Sequence, residues 1–245
     1  MATFVLVPGA WLGGWVWRDV TRLLRRAGHD VFPVTLTGLG ERVHLARPDI
    51  DLETHITDVI DLLCWNELDD VILAGHSYAG AVVTGVADRV PERIGQLVYV
   101  DSAPFTDGLA LIDLFSPERR RDLEHVVTTM GEGWRVPFPG GAHLGEFGGT
   151  AGIDAKGLAW MEAFATPQPW ATFTQPLQLQ GGEGGAYAKV LIACDDMLGA
   201  IAAGVPPLVA MTAAPWRFHE LRTGHWPMVS APGELASILT GLVAD

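Results

Sequence analysis

The stretch Val71-Ile72-Leu73-Ala74-Gly75-His76-Ser77-Tyr78-Ala79-Gly80 decides the fold, because an apolar run leads into a serine flanked by small residues and a helical pattern follows. This is the sequence form of a nucleophile elbow, in which the serine lies on a strained turn between a strand and a helix. Only small residues two places before and after the serine let the two backbones approach closely. Gly75 and Ala79 hold those positions, although glycine is usual at the second. The stretch predicts a reactive Ser77, with an ordinary strand-to-helix turn as the alternative.

Short β-rich runs alternate with helical patterns on both sides of this stretch. Such alternation predicts an α/β fold with a mostly parallel central sheet that is covered by helices on both faces. The predicted strands are Phe4 to Val7, Asp30 to Val34, Val71 to Ala74, Gln96 to Val100, Val190 to Cys194 and Trp216 to Leu221. The predicted helices of this core are Trp15 to Ala27, Leu52 to Trp65, Ala81 to Asp88 and Gly233 to Val243.

The alternation stops between Ala103 and Ala188, where proline, glycine and tryptophan accumulate. We interpret residues 105–185 as an inserted lid on a core formed by residues 1–104 and 186–245. Helical pieces are expected near 107–130 and 155–165. Mobile glycine-rich connections are expected at Gly140-Gly141, Gly148-Gly149, Gly181-Gly182 and Gly184-Gly185. A second small domain is the alternative, but a stretch so rich in glycine makes a poor independent core.

The composition excludes several classes of function. The formal net charge of −13 over 245 residues repels nucleic acid phosphates and anionic membrane surfaces, so we expect a small-molecule substrate instead. The apolar start at Thr3 does not resemble a signal peptide, and the two cysteines indicate no disulfide framework. A cytoplasmic enzyme fits these features, whereas the oligomeric state stays open.

His225 is the strongest candidate for the base that a serine nucleophile requires. A serine hydroxyl is a weak nucleophile at neutral pH, so it needs an imidazole within hydrogen-bond reach and a carboxylate that orients the imidazole. The run Thr223-Gly224-His225-Trp226-Pro227 follows the last strand and precedes the last helix. A loop at the top of the sheet would place a base there, while a solvated loop histidine is the alternative.

The acid has three candidates. Asp195 and Asp196 follow the strand that ends at Cys194, and Asp101 ends the strand after the elbow helix. We favour Asp196, because about two residues usually separate the strand end from a side chain that turns back toward the histidine. Asp195 is the second choice, and Asp101 the third, since it could instead cap the turn that it begins.

Acyl transfer also requires hydrogen-bond donors for the developing oxyanion. The elbow places the backbone N–H of Tyr78 at a helix start, and the small-residue loop after the first strand offers the N–H of Ala10. Gly13-Gly14 in that loop suggest a phosphate cradle, but neither G-x-G-x-x-G nor a P-loop lysine is present. We therefore predict no nucleotide cofactor and, lacking metal-ligand spacing near the site, no metal.

The chain resembles the α/β-hydrolase superfamily, in particular the branch of plant methylesterases and hydroxynitrile lyases. The resemblance rests on Phe4-Val5-Leu6-Val7-Pro8-Gly9-Ala10-Trp11, Leu36-Thr37-Gly38-Leu39-Gly40, Gly75-His76-Ser77 and Gly224-His225. It covers most of the core and none of the lid. Pro8 replaces the family's histidine, Ala79 replaces its glycine, and the stretch after Cys194 is shorter than its acid loop.

The resemblance implies a hydrolase rather than a lyase. Hydroxynitrile lyases of this branch use a threonine in the oxyanion loop and a lysine after the histidine, where this chain has Gly9 and Trp226. Trp226, with Trp11, is a candidate for contact with an apolar or aromatic substrate group. Six lid aromatics, some of which could line an aromatic pocket, are Phe105, Phe115, Trp134, Trp160, Trp170 and Phe173.

These residues predict a serine hydrolase that cleaves an ester, lactone or related acyl bond of a small, largely apolar molecule. Ser77 would attack, His225 would transfer the proton and an aspartate would orient His225. Two alternatives remain open: a non-hydrolytic enzyme that performs carbon–carbon cleavage or cyclisation of a metabolite on the same fold, and a small-molecule-binding protein with weak esterase activity.

Overall fold

The computed structural model describes residues 1–181 and 187–243. Some features predicted from the sequence lie outside the described residues. These are Gly182, the glycine pair Gly184-Gly185 and the start of the second part of the core at residue 186. No helix in the described ranges is long and apolar enough to cross a membrane.

The centre of the molecule is a parallel six-stranded sheet in the order β2-β1-β3-β4-β7-β8. Its strands are β1 (Thr3–Val7), β2 (Asp30–Pro33), β3 (Val71–His76), β4 (Ile94–Val100), β7 (Ala188–Ala193) and β8 (Trp216–Glu220). Two short strands, β5 (Arg135–Val136) and β6 (Gln168–Pro169), pair antiparallel elsewhere. All six predicted strands are present, within two residues of the predicted bounds.

Helices connect the strands and cover both faces of the sheet. The helices of the core are α1 (Arg18–Arg26), α2 (Leu52–Trp65), α3 (Ala79–Arg89), α7 (Asp195–Ala202), α8 (Pro206–Ala210), α9 (Pro227–Ser230) and α10 (Pro232–Gly241). Short 3-10 helices lie at Gly14–Trp17, Gly40–Leu45 and Pro91–Arg93. α2 starts at a reciprocal cap, because the Asp51 carboxylate accepts from the Thr54 N–H and the Thr54 hydroxyl accepts from the Asp51 N–H.

The central strands are buried because helices pack against both faces of the sheet. Every residue of β3 is buried, as are most residues of α3, the helix behind the elbow. One side of the sheet packs against α2 and α3 and the other against α1 and α10. Parallel strands place all their carboxyl ends at one edge, so the segments after β1, β3, β4 and β8 meet there.

The segment between β4 and β7 is mostly helix and irregular chain. It contains α4 (Pro117–Met130), α5 (Ala155–Phe164), α6 (Ala171–Thr174), and 3-10 helices at Leu111–Leu114 and Leu144–Glu146. We call residues 105–181 of it the inserted segment. The expected helix near 107–130 begins ten residues later than 107, at Pro117 behind the Ser116 cap. Leu144 and Met161 of this segment are buried together with core residues such as Trp226.

Candidate active site

Ser77 lies on a tight turn between β3 and α3. Its φ of 52° is in the left-handed region, where an L-residue is strained. A Cβ on Gly75 would lie 2.8 Å from the Val83 side chain, and one on Gly80 would lie 2.2 Å from Ser102 Oγ. A side chain would therefore clash at residues 75 and 80, whereas the methyl group of Ala79 fits, fully buried, at the start of α3. Ser102 Oγ donates to the Ser77 carbonyl at 2.6 Å and fixes the turn.

His225 reaches Ser77 from the loop after β8. Its Nε2 is 2.8 Å from Ser77 Oγ, and its ring is largely buried. The His225 N–H donates to the Gly149 carbonyl at 2.7 Å, and the His225 carbonyl accepts from His76 Nε2 at 2.7 Å. Gly148 covers the ring so closely that a Cβ there would lie 2.5 Å from His225 Cβ and Cγ. The imidazole is thus held from several sides before any ligand binds.

Asp101, the third-ranked candidate acid, is the partner of His225. Its Oδ2 is 2.5 Å from His225 Nδ1, and its Oδ1 accepts from the Cys194 N–H at 2.9 Å. Asp101 is only 5% exposed and, like Ser77, has a positive φ, of 44°. Because a carboxylate only accepts, Nδ1 carries the hydrogen, and Nε2 of the neutral imidazole can accept from the Ser77 hydroxyl.

The preference for Asp196 is therefore wrong as a prediction of the His225 partner, and so is the second choice, Asp195. α7 begins at Asp195 directly after β7, so no loop is left to carry either carboxylate back toward the imidazole. Both residues are exposed in the first turn of that helix. Asp196 Oδ2 instead accepts from the Gly149 N–H at 2.6 Å and thereby anchors the loop that covers His225. β4 lies next to β3 in the sheet, which places Asp101 beside the elbow.

The two predicted oxyanion donors lie at the same cavity as Ser77. Ala10 and Tyr78 both line this cavity, together with Ser77 and His225. In the described part of the chain, neither the Ala10 N–H nor the Tyr78 N–H donates to another protein group. The neighbouring Trp11 N–H, in contrast, is committed to Gln168 Oε1 at 2.9 Å. Ala10 and Tyr78 therefore offer backbone donors beside the serine hydroxyl.

Three hydrogen bonds join Trp11 to the inserted segment. Besides the bond from its N–H to Gln168, the Trp11 carbonyl accepts from the Thr166 N–H at 2.9 Å. Its indole Nε1 donates to the Val136 carbonyl at 3.0 Å. Trp11 has a φ of 66°, so these bonds stabilise a conformation that tryptophan rarely adopts. The loop that carries Ala10 is thereby fixed by the inserted segment rather than by the core alone.

A buried series of polar contacts connects this loop with Tyr78. The fully buried Gln168 donates from Nε2 to Thr172 Oγ1 at 2.8 Å, and the Thr172 side chain interacts with the Tyr78 hydroxyl. Tyr78 also lies 2.9 Å from His55 Nδ1, and His55 Nε2 donates to the Thr37 carbonyl at 2.9 Å. Residues on both sides of the serine are therefore held by one network.

Burial keeps His55 and His76, which lie beside the site, neutral. Desolvation lowers the pKa of His55 from 6.5 to about 4, against the opposing effects of the Thr37 carbonyl and of Asp58 and Asp51. Desolvation likewise lowers the pKa of His76 well below its ordinary value, and nearby His225 adds to this shift. A neutral His55 accepts from the Tyr78 hydroxyl at Nδ1, because its Nε2 hydrogen is used by Thr37. The same burial raises the pKa of Tyr78, so the phenol keeps its proton.

The cavity at Ser77 is small and mostly aromatic. Its volume is about 50 Å³. The predicted contact residues Trp11 and Trp226 both line it and are both buried. Of the six lid aromatics, Phe115 and Phe173 line it, whereas Trp160 packs edge-on against Trp15 with ring centroids 4.9 Å apart. The described lining residues include no lysine or arginine, so the cavity suits an uncharged group.

Sequence reasoning missed three residues at this site. Phe147 lines the cavity, and Gln168 and His55 hold its walls. Phe147 and Gln168 belong to the inserted segment, where no motif of known chemistry points to a single residue. His55 lies on the buried face of α2, at a position that the helical pattern alone assigns to packing.

The similarity to known proteins extends over nearly the whole chain. Residues 4–238 match the model of the alpha/beta hydrolase family. The chain belongs to this family. A carbendazim hydrolyzing esterase from Nocardioides sp. (strain SG-4G) is 36% identical to the α/β hydrolase described here over 260 residues, which cover 99% of this chain and 100% of that protein. Methylesterase 8 of Arabidopsis thaliana is 34% identical over 100 residues, or 40% of this chain and 37% of that protein.

Solved structures agree with this α/β-hydrolase fold. An extracellular alpha/beta-hydrolase from a Paenibacillus species has a TM-score of 0.83 at 22% identity, with 98% of each chain covered. A pyrethroid hydrolase from Sphingobium faniae JZ-2 has a TM-score of 0.72 at 22% identity, with 99% of this chain and 97% of that chain covered. The predictions of an α/β-hydrolase fold and of a hydrolase of the esterase type are confirmed.

Proposed function

We propose that this α/β hydrolase uses a Ser77-His225-Asp101 triad to cleave an ester, lactone or related acyl bond of a small, largely apolar molecule. The observation that carries the proposal is the continuous series of hydrogen bonds from Ser77 Oγ through both ring nitrogens of His225 to Asp101. This series activates a hydroxyl for attack on a carbonyl carbon.

The first half of the reaction acylates Ser77. His225 Nε2 takes the hydroxyl proton while Ser77 Oγ forms a bond to the carbonyl carbon of the substrate. Asp101 stabilises the imidazolium that results, and the N–H groups of Tyr78 and Ala10 stabilise the tetrahedral oxyanion. The imidazolium then protonates the departing alkoxide oxygen, the carbon–oxygen bond breaks, and the acyl group remains on Ser77.

The second half hydrolyses the acyl-enzyme. A water molecule donates its proton to His225 Nε2 while its oxygen attacks the acyl carbon. Collapse of the second tetrahedral intermediate breaks the bond to Ser77 Oγ, which recovers the proton from His225. The products are a carboxylic acid and an alcohol, which stay in one molecule when the substrate is a lactone, and the enzyme returns to its starting state.

The substrate class follows from the walls of the cavity and from the relatives. Aromatic side chains such as Trp11, Phe173 and Trp226 surround Ser77, and uncharged groups bury favourably against them. The names of the relatives, a carbendazim hydrolyzing esterase and a methylesterase, support an ester-type bond in a small molecule. Methyl esters, aryl acetates, lactones and carbendazim are therefore the substrates to screen first.

Ser77→Ala tests the proposal. The variant should lose at least about a thousandfold in kcat on any substrate that the wild type cleaves, because the nucleophile is gone. Its circular dichroism and melting temperature should match those of the wild type. A fluorophosphonate probe should label the wild type at Ser77 and leave the variant unlabelled. Undiminished turnover by the variant would contradict the assignment of Ser77 as the nucleophile.

The fluorophosphonate probe and an analysis of the products distinguish the hydrolase from the two alternatives. A binding protein with weak esterase activity would resist the fluorophosphonate probe and show only slow turnover of every ester. A tailoring enzyme would consume a metabolite without releasing an acid and an alcohol, which product analysis by mass spectrometry detects. The hydrogen-bond series at Ser77 supports an enzyme over a binding protein, and the similarity to a carbendazim hydrolyzing esterase supports hydrolysis over tailoring chemistry.

A further inference from the structure

The cavity at Ser77 is too small for the substrates that the proposed function implies. Its volume of about 50 Å³ holds little more than the reacting carbonyl and its immediate substituents. Sites for small organic ligands usually enclose about 300–1,000 Å³. The remainder of an apolar substrate therefore needs further space that adjoins this cavity.

A larger cavity lies directly beside it, within the inserted segment. This outer chamber has a volume of about 450 Å³ and is lined by one face of α4 and by the chain that follows β5. Its apolar lining includes Leu123, Val126, Val136 and Phe138. Leu123 and Val136 are buried, so the depth of the chamber is apolar. The charged lining residues, such as Glu146, are more exposed.

The Phe147 side chain is common to the two cavities. It is the residue that lines both the cavity at Ser77 and the outer chamber. Its ring packs edge-on against Trp11, with centroids 4.8 Å apart, and the Arg119 guanidinium lies 4.5 Å from its centroid on the chamber side. Arg119 in turn pairs with Glu146 at 2.6 Å. The ring is half-buried and is held by side-chain contacts on either side.

The backbone after Phe147 is fixed, so the ring can move only by side-chain rotation. Gly149 donates to Asp196 and accepts from the His225 N–H, and the Ala151 carbonyl accepts from the Gly224 N–H. Displacement of this loop would pull on His225 itself. Rotation of the Phe147 side chain breaks none of these hydrogen bonds.

We propose that the two cavities form one substrate site, in which the outer chamber receives an uncharged alkyl or aryl group of the ester and the Phe147 ring controls access to it. The inference rests on the proposed function and names its substrate class: esters with one extended apolar group rather than compact or charged ones. Phe147 and the α4 residue Val126 are then specificity-determining residues.

Val126→Trp tests the chamber by filling it. Two ester pairs are compared, p-nitrophenyl acetate with p-nitrophenyl hexanoate for the acyl side and methyl with benzyl benzoate for the alcohol side. The large-to-small ratio of kcat/KM should fall at least about tenfold in one of the pairs, because the indole occupies the space of the apolar group. His125→Trp adds the same side chain at the neighbouring exposed position of α4 and should leave both ratios unchanged.

Phe147→Ala tests whether the Phe147 ring separates the two cavities. Its effect on the large-to-small ratio of kcat/KM should be opposite to that of Val126→Trp. Removal of the ring should raise the large-to-small ratio by at least about threefold in one of the two pairs, which should be the same pair that Val126→Trp affects where that variant folds. Because Phe147→Ala shortens a side chain, it also decides the question if Val126→Trp fails to fold. Active-site titration with a fluorophosphonate counts the competent enzyme in each preparation.

The outcomes test the outer chamber and the proposed function separately. If Ser77→Ala abolishes turnover while both ratios stay unchanged in Val126→Trp and Phe147→Ala, the chamber is refuted and the hydrolase assignment stands. A wild type that cleaves the small ester of each pair but neither large one also refutes the chamber. If Ser77→Ala retains full turnover, the proposed function fails first.

Discussion

At the scale of single residues, the identity of the acid has the largest functional consequence. Asp101 uses both carboxylate oxygens, one for His225 Nδ1 and one for the Cys194 N–H. The second bond limits rotation of the carboxylate whose other oxygen faces the imidazole. The positive φ at Asp101, like that at Ser77, indicates that local strain is kept at the functional site.

Asp101→Asn should lower kcat by about four orders of magnitude while the protein stays folded. The amide would keep its oxygen on the Cys194 N–H and turn its NH2 group toward His225 Nδ1. The imidazole would then carry its hydrogen on Nε2 and could not accept the Ser77 proton. Ester turnover and urea unfolding together measure the effect.

Asp196→Asn is the matched control for that variant. The amide that replaces the Asp196 carboxylate keeps an oxygen for the Gly149 N–H, so kcat should stay within about tenfold of wild type and stability within about 1 kcal/mol. If Asp196→Asn lowers kcat more than Asp101→Asn does, Asp196 rather than Asp101 acts as the acid of the triad.

At the scale of elements, the sequence predicts the six core strands and the helices α1, α2, α3 and α10, but not the core helices α7, α8 and α9. It predicts the inserted segment only in part. The core strands are apolar runs followed by helical periodicity, and burial on both faces of a parallel sheet requires that pattern. α2 matches its predicted bounds, Leu52 to Trp65, because a capping residue precedes it and its apolar stripe ends where it ends. α4 starts later than expected, because Pro117 and the Ser116 cap set its start rather than hydrophobic periodicity.

The site could be predicted where local sequence dictates geometry, and not where strand order does. Ser77 and His225 belong to short motifs with characteristic turns. The choice among Asp101, Asp195 and Asp196 depends on which strand lies next to β3, and no local pattern reports strand order. Gln168 and Phe147 depend on contacts between segments far apart in the chain.

Gln168→Met should lower kcat by about tenfold to a hundredfold with a much smaller change in KM. Methionine fills similar space but cannot accept from the Trp11 N–H, so the loop with Ala10 loses its support while the ground-state pocket keeps its shape. Gln168→Glu, which keeps an acceptor oxygen, should recover part of kcat. Steady-state kinetics on one aryl ester separates the two constants, and a kcat equal to that of wild type in both variants would assign Gln168 to packing alone.

At the scale of the whole molecule, buried neutral histidines make the fold sensitive to acid. His55 and His76 are buried, and burial lowers the pKa of each in the folded protein. Between the ordinary pKa of 6.5 and a folded value of about 4, the unfolded chain binds a proton at residue 55 that the folded chain does not. Stability therefore rises with pH across this window and is lost as pH falls through it.

The free energy of unfolding should fall by about 3 kcal/mol from His55 alone between pH 6.5 and pH 4. His76 acts in the same direction. Urea unfolding at intervals across that range measures the slope, and His55→Gln should flatten it by the contribution of one proton. A variant whose stability runs parallel to that of wild type from pH 7 to pH 4 would contradict the assignment of the slope to His55.

The three-point attachment of Trp11 bears on how enzymes of this architecture exchange parts. A chimera that received residues 105–181 from a relative would still offer Trp11 a backbone carbonyl at position 136 and a backbone N–H at position 166, because those two anchors are main-chain groups. The anchor at Gln168 is a side chain, so it would be lost unless the relative also has an acceptor at that position. We therefore expect such swaps to keep the Ala10 loop in place only when the grafted segment carries an acceptor side chain at position 168.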